Sequence, residues 1–120
     1  MLKKDKKSDP QGDLTTYMGW HNVDEIPITL ATLMQDSITD KDVNPKEAIL
    51  HHSEGVDLIP SNLELSSLEV SLVNAMSREY TMKNVLNGLK KDYDYVLIDC
   101  MPSLGMITIN ALACADKVII

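Results

Sequence analysis

The sequence predicts an α/β fold built on a partial, doubly wound parallel sheet. Tyr95-Val96-Leu97-Ile98 is a continuous apolar run, the pattern of a central parallel strand with helices over both faces. A turn, a helix-spaced segment and a second apolar run at Val118-Ile119-Ile120 follow it, which is the order of a right-handed βαβ unit. Ahead of it, residues 65–89 carry apolar side chains at helical spacing.

The chain has 120 residues, 44% hydrophobic and 24% charged, the balance of one small globular domain. No window approaches the ~18 apolar residues of a membrane span. The N-terminal lysines precede no apolar run, so no secretory signal is read and no membrane partner is expected. The net charge of −7 argues against a free-standing basic nucleic-acid binder. Four lysines against Asp5 give residues 1–7 a charge of +3, which leaves −10 for the rest. Cys100 and Cys114 form neither a CxxC pair nor a disulfide framework, which fits a reducing cytoplasm. There is no Phe, so Leu, Ile, Val and Met must fill the core.

Residues 1–8 lack apolar periodicity and are expected to be a disordered basic tail, with one domain over 9–120. Asp9-Pro10-Gln11-Gly12-Asp13 is a dense turn cluster. Ile28–Gln35 reads as a short helix with Thr29 near its start. Pro45–Leu50 reads as another, capped by Asn44 with Pro45 in its first turn. Val56–Pro60 reads as a strand entered from Gly55. Ser61-x-x-Glu64 has capping-box spacing, and Leu65, Leu68, Leu72, Val73 and Met76 follow it as a helix face. Met82, Val85, Leu86 and Leu89 give a further helix, ended by Lys90 and Lys91 as the helix dipole prefers. After the strand over Tyr95–Asp99, Pro102-Ser103 turns the chain and Ser103 can cap a helix. Leu104, Ile107, Ala111, Leu112 and Ala115 form that helix's apolar face. The methionines, Met76, Met82 and Met106 among them, are expected to fill core gaps. His51 and His52 point apart and are not expected to bind metal.

Asp99 is the strongest chemical signal. Ligands of open α/β sheets bind beyond the carboxyl ends of the strands, and Asp99 stands there with a helix N-terminus close behind it. A carboxylate in that place can hold Mg²⁺ against phosphate oxygens. A helix-capping or solvated Asp gives the same pattern.

Tyr93-Asp94-Tyr95-Val96-Leu97-Ile98-Asp99-Cys100-Met101-Pro102-Ser103-Leu104-Gly105 resembles the Walker B and switch II segment of ParA/Soj-type ATPases, an apolar strand followed by D-x-P-P-S-L-G. Met101 stands where the first proline is usual. Asp9-Pro10-Gln11-Gly12-Asp13 resembles the family's D-P-Q-G-N switch I motif. Leu58-Ile59-Pro60-Ser61-Asn62, Ser77-Arg78-Glu79 and Thr108-Ile109-Asn110-Ala111-Leu112 are similar too, so the resemblance covers residues 9–120.

The resemblance implies a P-loop NTPase-like fold of deviant Walker type, with ATP and Mg²⁺ as cofactors. It implies an ATP-sandwiched homodimer that binds DNA non-specifically, a centromere-binding partner protein that stimulates hydrolysis, and a bacterial cytoplasmic role in plasmid or chromosome partitioning. Asp9 would position or activate the attacking water. Asp99 would hold the Mg²⁺ shell, and Pro102, Ser103 and Gly105 would form switch II with Leu104. The family's K-G-G-x-G-K-[ST] loop is absent from these residues, whose glycines are at 12, 19, 55, 88 and 105. Lys7 stands where the family has its first switch I Asp. The expectation is therefore an incomplete sheet and a middle portion of such a protein, without ATP hydrolysis of its own. The alternative is a non-catalytic module that binds a full-length relative. Lys3–Ser8 is not expected to form a central strand, so Asp9 would have no fixed place.

Overall fold

The computed structural model describes residues 2–3, 5–7, 15–16, 18–20, 22, 25–76, 78–100 and 105–119; for 2–3 and 5–7 it describes the backbone alone. In chain order the described elements are β1 (Leu2–Lys3), β2 (Asp5–Lys7), α1 (Leu30–Ile38), β3 (Leu50–His52), β4 (Val56–Leu58), α2 (Glu64–Val73), α3 (Thr81–Leu86), β5 (Tyr95–Asp99) and α4 (Met106–Cys114). Short 3₁₀ turns lie at Pro45–Ala48, Arg78–Tyr80 and Lys90–Asp92. No helix of the described residues is long and apolar enough to cross a membrane.

The strands form one sheet in the order β2-β5-β1-β4-β3. β2 and β5 are parallel, with Asp5 beside Leu97 and Lys7 beside Asp99. The pairs β1–β5, β1–β4 and β3–β4 are antiparallel. The fold is thus α/β with a small partial sheet, and among the described residues its one parallel pair includes the strand that ends in Asp99.

That pairing corrects the expectation of a disordered tail over residues 1–8. A strand ladder is made by backbone groups, which every residue but proline carries. β2 lies at the sheet edge, where lysine is a usual residue, but β1 with Lys3 lies inside the sheet between β5 and β4, which corrects the expectation of no central strand at that position. Residues 116–119 correct a second expectation: they form no strand, and Val118 and Ile119 are exposed.

Local sequence accounts for most of the other elements. Thr29 caps α1 through a reciprocal box with Thr32, and the Leu30 N–H donates to the Pro60 carbonyl at 2.8 Å. Asn44 caps the turn that Pro45 begins, though that turn is 3₁₀ and stops at Ala48. Gly55 closes the β3–β4 hairpin at φ +79°, a conformation that L side chains avoid.

The Ser61 capping box does not form. Ser61 donates its N–H to the Thr15 hydroxyl at 3.2 Å, and the Asn62 side chain accepts the Glu64 N–H at 3.0 Å instead. α2 ends at Val73, so Met76 lies beyond its apolar face and is 96% exposed rather than in the core. Lys90 does not end α3; its ammonium reaches the Cys114 carbonyl at the C-terminus of α4.

The core gathers Leu30, Leu33 and Met34 of α1, Leu65, Leu68 and Leu72 of α2, Met82, Val85 and Leu86 of α3, and Ile107 and Ala111 of α4. Val96 and Ile98 of β5 pack against it. On the other face of β5, Tyr95 is 72% and Leu97 50% exposed. The apolar run of β5 therefore has one covered face, not two, because these helices gather on the Val96 and Ile98 side.

Asp57 links three elements. Its carboxylate accepts the Tyr93 hydroxyl at 2.6 Å and lies 2.6 Å from His51 Nδ1 across the hairpin. The ring of His52 meets Trp20 edge-on at 6.1 Å between centroids. Burial, then the hydrogen bond to Asp57, then the charges of Asp57 and Asp92 push the Tyr93 hydroxyl well above its ordinary value near 10. The fold holds the neutral phenol, so this stabilisation is present below about pH 10 and is lost as pH rises. Tyr93→Phe is expected to cost about 1 kcal/mol at pH 7. The gap between wild type and variant should narrow above about pH 10, as read from urea midpoints across pH. A gap that widens with alkali would contradict this.

Candidate nucleotide-proximal edge

Asp99 is the last residue of β5, and its side chain is exposed at the carboxyl end of the sheet. Val96 and Ile98 fix its height by packing into the core. Because β2 runs parallel to β5 with Lys7 in register with Asp99, the chain leaves both strands at the same edge. Cys100 follows half-buried, its Sγ 3.9 Å from the Ile98 carbonyl. Asp9, Pro102 and Ser103 lie outside the described residues. Gly105 stands at the N-cap of α4 with extended backbone, φ −71° and ψ 171°.

Gly105 has no side chain to cap that helix, and a residue from α2 takes the part. The Glu69 carboxylate accepts the Met106 N–H at 2.7 Å and the Ile107 N–H at 3.0 Å. The first N–H groups of a helix lack partners within it, and its N-terminus carries positive potential. A half-buried carboxylate answers both.

The next turn of α4 is held by Asn110, which is fully buried. Its Oδ1 accepts the Met82 N–H at 2.9 Å, and its Nδ2 donates to the carbonyls of Arg78 at 2.7 Å and Met106 at 2.8 Å. The Arg78 guanidinium donates to the Val73 carbonyl at 2.7 Å, closing the path back to α2. Thr15 is buried as well, and its hydroxyl makes a reciprocal pair with the Ser61 backbone. That pair ties the chain just past the 9–13 motif to the end of β4.

Glu69, Asn110 and Thr15 were not among the residues singled out for the site. A signal existed for two of them. Glu69 is a charge on the Leu65, Leu68 and Leu72 stripe, and Asn110 is an amide on the Ile107, Ala111 and Cys114 stripe. A polar residue on an apolar helical face needs a partner.

A magnesium nucleotide requires hard oxygen donors for the metal and converging N–H groups for the phosphates. Asp99 offers one such carboxylate. Among the described residues no three His, Cys, Asp or Glu side chains gather as a metal set. A Cβ added at Gly19, Gly55 or Gly88 meets nothing within 4 Å, so none of these is a close-approach cradle. At Gly105 an added Cβ would meet Glu69 Oε1 at 2.6 Å, so an anion already faces the N-terminus of α4. The described residues fit one carboxylate of a Mg²⁺ shell and do not by themselves fit a phosphate chain.

Comparison with known proteins places this edge in a family. A family described as "AAA domain" matches residues 6–120. The sporulation initiation inhibitor protein Soj of Bacillus subtilis is 38% identical over 112 residues, 93% of this chain and 42% of that protein. The chromosome partitioning protein ParA of Myxococcus xanthus is 38% identical over 114 residues, 93% of this chain and 38% of its own length. Cobyrinic acid a,c-diamide synthase of Mycobacterium smegmatis, solved with an ATP analogue and magnesium, superposes with a TM-score of 0.82 at 38% identity, over 92% of this chain and 43% of that one. The chain thus spans well under half the length of these relatives. The matching family, the relatives and the shared fold agree with the two spaced motifs: the chain belongs to the AAA domain family, as a ParA/Soj-type member.

Proposed function

We propose that the chain is the middle portion of a ParA/Soj-type ATPase of plasmid or chromosome partitioning. In this reading Asp9 is its switch I carboxylate, Asp99 its Walker B carboxylate, and Pro102, Ser103 and Gly105 belong to switch II. ATP, Mg²⁺, a homodimer, non-specific DNA, a centromere-binding partner protein and a bacterial cytoplasmic setting belong to the same reading. The observation that carries it is the parallel register of β2 with β5, Lys7 beside Asp99. It brings the chain that leads into Asp-Pro-Gln-Gly to the sheet edge that bears Asp99, where open α/β sheets bind ligands.

Residues 1–120 alone are expected not to turn over ATP, because positioning of the phosphates supplies most of the catalysis in phosphoryl transfer and no glycine among the described residues forms a cradle. A second reading, an interaction module for a full-length relative, is favoured by the exposed Tyr95 and Leu97 on β5.

One experiment separates the two. The purified chain is titrated with MgATP, alone and with a full-length ParA-type protein, while phosphate release and particle mass are followed. The first reading expects MgATP-dependent association with the relative, abolished in Asp99→Ala, with background turnover by the chain alone. Association that ignores nucleotide and is lost in Leu97→Lys would favour the module. Turnover by the chain alone, lost in Asp99→Ala, would overturn that expectation.

A further inference from the structure

We propose that His51 is a nucleophilic site for neutral acyl donors, with Asp57 as the residue that positions its ring. The site lies on the β3–β4 hairpin, at the sheet edge opposite β2 and apart from the edge that bears Asp99. It uses none of the residues read as switch I, Walker B or switch II.

His51 and Asp57 stand directly opposite one another in the antiparallel ladder. Asp57 Oδ1 lies 2.6 Å from His51 Nδ1, and its Oδ2 accepts the Tyr93 hydroxyl at 2.6 Å. An ionised carboxylate only accepts, so the proton of the His51 contact sits on Nδ1. The lone pair of the neutral ring is then on Nε2. The His51 side chain is 78% exposed, and its Nε2 has no partner among the described residues. Asp57 is 22% exposed and tied to the half-buried Tyr93, so the ring is oriented by a fixed carboxylate.

His52 provides the contrast. Its Nδ1 accepts the Glu54 N–H at 3.2 Å, so the lone pair of its neutral ring is engaged and the proton is on Nε2. Its ring also meets Trp20 edge-on. Two adjacent histidines are thus held as opposite tautomers, and of the two His51 presents a lone pair to solvent.

Charge selects the class of electrophile. Asp57 and, in the hairpin turn, Glu54 make the surroundings of His51 negative, in a chain of net charge −7. An anionic donor is repelled there, whereas a neutral ester or anhydride is not. The Nε2 lone pair attacks the carbonyl carbon, the bond to the leaving oxygen breaks, and that oxygen departs with the electron pair. The acylated ring keeps its Nδ1 proton and carries a positive charge beside the Asp57 carboxylate. Water then adds to the carbonyl carbon and the bond to Nε2 breaks. Nε2 takes back its pair, and a carboxylic acid and one proton are released.

The test combines ¹⁵N spectra of the imidazole rings with labelling of the 120-residue chain by diethyl pyrocarbonate, a neutral acyl donor, at about pH 8. The spectra should show the His51 proton on Nδ1 and the His52 proton on Nε2. Peptide mapping by mass should find His51 labelled several times faster than His52. In Asp57→Asn the His51 ring should lose its preference for the Nδ1 proton. Its labelling should slow about tenfold, the weight of one charge-assisted hydrogen bond, with His52 unchanged. In Tyr93→Phe the rate should fall by less, because the ladder still sets Asp57 opposite His51.

A wild-type His51 with its proton on Nε2 overturns the part given to Asp57. Equal labelling of His51 and His52 overturns the site itself. Wild-type labelling of His51 in Asp57→Asn overturns the positioning role even where the tautomers are as expected. An Asp57→Asn chain that unfolds would label His52 faster as well, and the wild-type spectra then decide the tautomer without that variant.

Discussion

Replacing Asn110 by Ala is expected to lower the unfolding free energy by about 2 kcal/mol, since it strands the buried Met82 N–H and removes one of two bonds to the Arg78 carbonyl. The Met82 N–H loses its acceptor, while the Arg78 carbonyl loses its shorter bond but keeps the Thr81 hydroxyl at 3.2 Å. Met82 is fully buried, so water cannot easily replace the amide. The Met106 carbonyl keeps a helical partner, so its share of the loss is small. Asn110→Asp should be no better: it keeps an acceptor for Met82 but removes the donor to Arg78 and adds a charge to a buried site. Urea unfolding at pH 7 measures both variants. A loss below about 1 kcal/mol for Asn110→Ala would mean that the amide's bonds are made equally well in the unfolded chain.

Asn110 also shows why part of the molecule was legible in its sequence and part was not. Helical periodicity finds α1, α2 and α4 because burial of one face is a local pattern, and Thr29 and Asn44 cap where their residue types predict. The strand ending in Asp99 is equally clear, since four apolar residues run into a carboxylate. What no local pattern holds is the partner of each polar group. Ser61 has capping-box spacing, yet its backbone N–H goes to Thr15, 46 residues away in sequence. Lys90 has the charge to end its own helix, yet it serves the C-terminus of α4. β1 and β2 escape a local reading for the same reason: lysine content speaks against a buried strand, but the ladder is made by backbone groups and strand position in the sheet is a tertiary property.

These long-range contacts converge on α4. Glu69 holds its N-terminus, Asn110 its middle and Lys90 its last carbonyl. The two end groups carry the charges that complement a helix dipole, negative at the start and positive at the finish. The helix that follows the 99–105 segment is therefore fastened to α2, to the Arg78–Tyr80 turn and to the Lys90–Asp92 turn. Any displacement of α4 has to strain at least one of these contacts.

Leu72→Ala tests that arrangement from the core side and carries the other large expected effect. Leu72 is fully buried on the last turn of α2, within the cluster that joins all four helices. Truncating it removes three carbons and leaves a cavity, a change that costs about 2–5 kcal/mol. That is a large fraction of the stability of a small domain, about 5–15 kcal/mol. Val70→Ala, two residues away but 73% exposed, should change stability by no more than about 0.5 kcal/mol. The contrast isolates burial from helix propensity, because both changes give alanine in the same helix. In urea the midpoint of Leu72→Ala should fall while the slope stays constant, since the same surface is exposed on unfolding. Leu68 and Leu72 flank Glu69 on the buried face of α2, so Met106 and Ile107 should lose amide protection in Leu72→Ala and keep it in Val70→Ala. Equal losses from the two substitutions would show that the buried face of α2 does not anchor the molecule, and that the presentation of Glu69 has another source.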